Sequence, residues 1–133
     1  SSPMRIIRTE KAPAPVAGAP YNQAIAATPG EMVFVSGQVP VDAATGGLVE
    51  GGITEQTQQV LANVTAVLEG AGAALSDVVK TTVFLTDIAD FAAMNAVYAE
   101  RFGTHAPARS TIGVAALPLG ARVEIEAVAV IDV

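Results

Sequence analysis

The sequence predicts an α+β fold: a mixed β-sheet with two helices packed on one face. Short β-branched runs read as strands, while two longer stretches repeat apolar residues at helical spacing, and these stretches lie between strands as β-α-β connections require. The strands are also apolar on both sides. Two amphipathic helices can cover only one of those sides, so the other is expected to meet further copies of the chain.

Met4 to Thr9 alternates weakly and suggests a first strand, and Lys11 to Pro20 carries Pro13, Pro15 and Pro20 in an extended surface loop that delivers Tyr21-Asn22-Gln23. Met32 to Val39 is strand-like, with Met32, Phe34 and Ser36 on one face and Val33, Val35 and Gly37 on the other. Thr45-Gly46-Gly47 reads as a tight turn. From Ile53 to Ala71 the apolar residues Ile53, Val60, Leu61, Val64, Val67 and Leu68 define a helix, with Gly70 and Gly72 to stop it. Val78 to Thr86 is β-branched, and Asp87 suits the N-cap of a second helix that carries Phe91, Met94, Val97, Tyr98 and Phe102 inward to Gly103. Strands near Arg109 to Val114 and Arg122 to Ile131 end the pattern, and they read as neighbours. Ser1-Ser2-Pro3 ahead of Met4 reads as a cloning remnant, which leaves one expected domain over residues 4–133.

Composition narrows the function classes. The chain of 133 residues is 51% apolar with 5% aromatics, which argues for a compact core of small side chains. Its net charge is −6, and the few basic residues are scattered singly, so no nucleic-acid partner is expected. No cysteine means no disulfide or thiolate chemistry, and a single histidine, His105, cannot build a histidine cluster; neither a metal nor a cofactor is expected. No apolar run reaches bilayer length and no signal pattern opens the chain, so no membrane partner and a cytoplasmic location are expected.

Few fixed polar groups remain. Arg109 follows Pro107-Ala108 at a strand start, and its planar fork fits either a carboxylate or a surface ion pair. Glu124 and Glu126 alternate with Val123 and Ile125, so they point away from the apolar face together with Arg122. They could direct water at a reacting carbon, line a solvated strand, or bridge two subunits. Tyr21 is open between pocket wall and loop aromatic, Ser36-Gly37 between ligand contact and turn, and His105 reads as an exposed loop residue. There is no Ser-His-Asp set, Gly-rich phosphate loop or HExxH pattern.

Five blocks in register carry a resemblance: Ala19-Pro20-Tyr21-Asn22-Gln23-Ala24, Val35-Ser36-Gly37-Gln38-Val39-Pro40, Asp77 to Leu85, Pro107-Ala108-Arg109-Ser110, and Val123 to Ala129. Over nearly its whole length the chain resembles the RidA/YjgF family of reactive-intermediate (imine/enamine) deaminases. The resemblance implies a chorismate-mutase-like fold, the second sheet face buried by trimerisation, and sites between subunits. It implies further that Arg109 grips the carboxylate of a 2-imino or 2-enamino acid, that Glu124 orients or activates the attacking water, that Tyr21 and Ser36 line the pocket, and that the backbone at Gly37 and Thr111 hydrogen-bonds ligand or water. Hydrolysis would then leave a 2-oxo acid and ammonia. The other readings are a regulatory or chaperone-like trimer that binds carboxylates without turnover, and an endoribonuclease. Ala19, Thr111, Gly113 and the short Gly103–Ala106 segment depart from the family pattern and bear on pocket size.

Overall fold

A computed structural model describes residues 3–132; Ser1 and Ser2, read above as part of a cloning remnant, and Val133 lie outside the described residues. Pro3 belongs to the fold, since its carbonyl accepts a hydrogen bond from Thr28 N at 3.0 Å. The chain runs β1 (Met4–Ile7), β2 (Ala24–Ala27), β3 (Glu31–Gln38), α1 (Ile53–Gly70), β4 (Val78–Leu85), α2 (Phe91–Phe102), β5 (Ala108–Gly113) and β6 (Val123–Ile131).

The main sheet has the order β3-β6-β4-β5, and β1 and β2 form a separate antiparallel pair. β4 and β5 are parallel with α2 as their crossover, and the other pairings of the main sheet are antiparallel. This order corrects one expectation. The strands of Arg109 and Glu124 are not neighbours, because β4 lies between β5 and β6. A crossover helix returns β5 parallel to β4, so the chain meets β6 only after passing the central strand.

Both helices pack on one face of the sheet. Val60, Leu61, Val64 and Leu68 of α1 and Met94, Val97 and Tyr98 of α2 are buried against Val78, Val83 and Leu85 of β4 and Val123, Ile125, Ala127 and Ala129 of β6. Burying one such aliphatic side chain contributes about 1.5–3 kcal/mol. Glu55 steadies the start of α1 by accepting from Gly52 N at 2.8 Å, and Gly103 ends α2 in a left-handed conformation at φ 64°. Across the sheet, Phe34 is 71% exposed, Met32 55% and Ile112 45%. This is the second apolar face that the strand patterns predict.

Four local expectations change. β2 had no strand signal, because Ala24-Ile25-Ala26-Ala27 is alanine-rich and short. Asp87 caps the 3-10 turn Ile88–Asp90 through Ala89 N and not α2 itself, which begins after Asp90. Arg122 does not stand with Glu124; it precedes β6 and forms an ion pair with Asp90 at 3.0 Å. Finally, His105 is half-buried, and its Nε2 donates to the Val78 carbonyl at 2.7 Å.

Candidate functional site

Register divides the predicted site residues into two groups. Thr81 of β4 stands opposite Arg109 on one side and Ala127 on the other, whereas Phe84 stands opposite Ile112 and Glu124. Positions 81 and 84 have opposite parity, so Arg109 points to the helix face and Glu124 to the far face. Thr111, two residues beyond Arg109, shares its face.

On the helix face, Arg109 is only 8% exposed. Its guanidinium carbon lies 4.8 Å from the ring centroid of Tyr98, 5.3 Å from Tyr21 and 5.6 Å from Phe91. Aromatic faces are negative, so this three-sided cage stabilises the cation without engaging its N–H groups. None of Nε, Nη1 and Nη2 has a hydrogen-bond partner among the described residues, and Thr111 Oγ1 and Asn95 Oδ1 are buried and unpaired as well. Burial lowers the Arg109 pKa, and the nearby Tyr98 and Tyr21 oppose that shift. Tyr98 is held by a 2.7 Å hydrogen bond with Thr81. Its own pKa is pushed up to about 12, chiefly by burial, so the phenol stays neutral beneath the cation.

Loop contacts aim Tyr21. Its hydroxyl accepts from Val16 N at 2.9 Å, and next to it Asn22 donates from Nδ2 to Ala106 O at 2.6 Å and from its backbone N to Pro107 O at 3.2 Å. The chain before β2 is thereby pinned just ahead of Arg109. On the far face, the register of β3 and β6 breaks between Val35 and Gln38, which brings Gly37 against Glu124. A Cβ at Gly37 would lie 2.8 Å from Glu124 Cδ, so any side chain here displaces the Glu124 carboxylate. Ser36 is exposed beside it, and Glu126 is exposed further along β6.

The sequence-predicted residues thus form a cationic group (Arg109, with Tyr21 and Thr111) and a carboxylate corner (Glu124, Gly37, Ser36) on opposite faces of the main sheet. Phe91 and Tyr98 complete the cage around Arg109 and were not among the sequence-predicted site residues. Phe91 and Tyr98 sit at the apolar spacing of α2, a signal that core and cage share.

These features define an α+β protein of one mixed main sheet that carries a caged, unpaired arginine. The comparisons narrow this class to one family. The chain belongs to the Endoribonuclease L-PSP family, the RidA/YjgF family, whose model matches residues 9–131. A RutC family protein of Pyrococcus abyssi is 52% identical over 93% of this chain and 94% of its own length. A goat (Capra hircus) protein named 2-iminobutanoate/2-iminopropanoate deaminase is 48% identical over 95% of this chain and 89% of its own. The crystal structure of RidA from the Antarctic bacterium Psychrobacter superposes with a TM-score of 0.74 at 44% identity, covering 96% of this chain and 99% of that one.

Proposed function

We propose that the protein is an imine/enamine deaminase that hydrolyses 2-imino acids to 2-oxo acids and ammonia. The observation that carries this reading is the caged Arg109 guanidinium, buried with all three nitrogens unpaired. Burying a cation without a hydrogen-bonded partner is costly, and a substrate carboxylate supplies that partner in bidentate form. The deaminase name of the goat relative supports the same substrate class.

The chemistry asks little of the protein. The iminium carbon of such a substrate is already electrophilic. Arg109 fixes the carboxylate, and Thr111 Oγ1, on the same face, can bond the ligand's polar edge. Glu124 takes a proton from water as the water oxygen attacks the C=N carbon. The proton returns to the nitrogen of the resulting carbinolamine, the C–N bond breaks as ammonia departs, and the hydroxyl oxygen forms the C=O bond by giving its proton to Glu124. Because Glu124 and Arg109 lie on opposite faces of one chain, the reading places each site between two copies of a homotrimer. Glu124 of one copy then serves the Arg109 receptor of the next. A cytoplasmic location is part of the same reading.

The test is ammonia release from imines generated in situ by an amino-acid oxidase. Arg109→Ala is expected to reduce it to background. Undiminished turnover in that variant would remove Arg109 from the mechanism.

The separation of the two half-sites favours one other reading: a receptor that binds carboxylates without turning them over. Carboxylates would then raise the melting temperature through Arg109 while imine turnover stayed at background. The endoribonuclease label of the family finds no support in the charge of −6 or in a lone histidine already bonded to the Val78 carbonyl.

A further inference from the structure

Tyr21 is the one wall of the Arg109 cage that stands on a loop, whereas Phe91 and Tyr98 both belong to α2. Ahead of the 3-10 turn Val16–Gly18, the loop's own tie is Lys11 N to Thr9 Oγ1 at 3.2 Å. Pro13, Pro15 and Pro20 bring no N–H to a backbone ladder, residues 11–14 are exposed, and the segment arches over a cavity of about 890 Å³ bordered by Arg8, Thr9, Pro13, Tyr21 and Gln23.

A single side chain supplies the missing ties. Gln23 Oε1 accepts from Thr9 N at 2.8 Å, and Gln23 Nε2 faces the carbonyls of Pro13 at 2.7 Å and of Thr9 and Ala12 at 3.2 Å. These partners fix the amide's orientation, because turning it over would set an oxygen against three carbonyl oxygens. The loop is therefore fastened at residues 9, 12 and 13 by Gln23 and at residue 16 by the Tyr21 hydroxyl.

We propose that Gln23 is a positioning residue for the reaction: by clasping residues 9–13 it holds the Val16 N–H against the Tyr21 hydroxyl and so keeps the Tyr21 ring on Arg109. This inference rests on the deaminase reading. Gln23 lies outside the reacting groups and leaves Glu124 untouched. Its loss loosens the carboxylate anchor and weakens substrate binding more than it slows the chemical step.

Two variants test the clasp. Gln23→Met keeps length and removes every hydrogen bond, and Gln23→Glu keeps the acceptor but opposes the carbonyls. Amide hydrogen exchange is expected to accelerate by about tenfold or more at Thr9 and Val16 in Gln23→Met and at Val16 in Gln23→Glu; in both, KM in the imine assay is expected to rise about tenfold and kcat to stay within about twofold. Tyr21→Phe cuts only the Val16 tie. It is expected to raise KM and Val16 exchange while leaving Thr9 protected, and it keeps the test alive if the Gln23 variants fold poorly. Unchanged Val16 exchange in Gln23→Met, or a fall in kcat with KM unchanged, overturns the proposal. Should the parent protein turn over no imine, the deaminase reading fails, and Val16 exchange alone then decides whether Gln23 clasps the loop.

Discussion

Gly37→Ala tests the role of Glu124 while leaving its side chain chemically intact. The added methyl would overlap Glu124 Oε2 and sit 2.8 Å from Cδ and 3.2 Å from Cγ, against an ordinary carbon–carbon contact of about 3.5–4.0 Å, so the carboxylate must retreat by at least about 1 Å. A displacement of that size costs about a hundredfold where a reacting group must be aligned. The stability cost is small. What moves is the far end of a flexible side chain, at about 0.5–1.5 kcal/mol for an unfavourable rotamer, and alanine recovers about 0.4–1 kcal/mol by restricting the unfolded chain. Gly37→Ala is therefore expected to keep its melting temperature within about 3 °C while kcat in the imine assay falls about a hundredfold. A double-mutant cycle makes the cause specific: in a Glu124→Ala background the Gly37 substitution should add almost nothing. Full activity in Gly37→Ala, or an equal further loss in the Glu124→Ala background, would refute the assignment.

Three other outcomes follow from the same geometry. Arg109→Met removes a buried, unpaired cation and is expected to abolish turnover while raising stability by about 1–3 kcal/mol in denaturant unfolding; a destabilised variant would count against the cage as a strained receptor. Tyr98 holds its proton more tightly when folded, with a pKa of about 12 against about 10 unfolded. Stability should therefore fall as pH rises above about 10, by about 1.4 kcal/mol per pH unit from this group, and Tyr98→Phe should lose that component. The lowered Arg109 pKa works in the opposite sense at the top of the range, so the comparison is best read near pH 10–11. Phe34→Lys places a charge on the exposed sheet face at no cost to the single chain; a smaller particle on size exclusion and loss of imine turnover are expected, and full activity in the monomeric fraction would exclude a site shared between copies.

Much of the fold was legible because the period of the apolar residues is a local signal. α1 and β3 to β6 fall within a residue or two of their sequence-read limits, since Leu61, Val64 and Leu68, or Val123, Ile125 and Ala127, state their own periodicity. β2 was not legible, because Ala24-Ile25-Ala26-Ala27 is strand only by pairing with β1. Asp87 and Asp90 are equally good caps by residue type. Only the position of Arg122, distant in sequence, decides that Asp90 is drawn into an ion pair while Asp87 caps the turn. The candidate site residues could be named from the sequence but not placed relative to one another. Parity within a strand shows that Glu124 opposes Ile125, yet nothing local relates the parity of β6 to that of β5 across an intervening strand. The cage was hidden for a similar reason, since Phe91 and Tyr98 serve as core and as cation platform with the same apolar surface.

The split of the site across the sheet gives assembly a catalytic meaning under the proposed trimer. Glu124 shares its face with Phe34, Met32 and Ile112, so the contact that removes those side chains from water also encloses the carboxylate. Enclosure strengthens every electrostatic interaction the carboxylate makes with a bound water or substrate. The Arg109 receptor needs no such event, because its three rings already desolvate it within one chain. The two halves therefore mature separately: the anchor on folding, the water-directing group on association. In the proposed trimer the anchor is in place before association, and on that reading hydrolysis belongs to the assembled form.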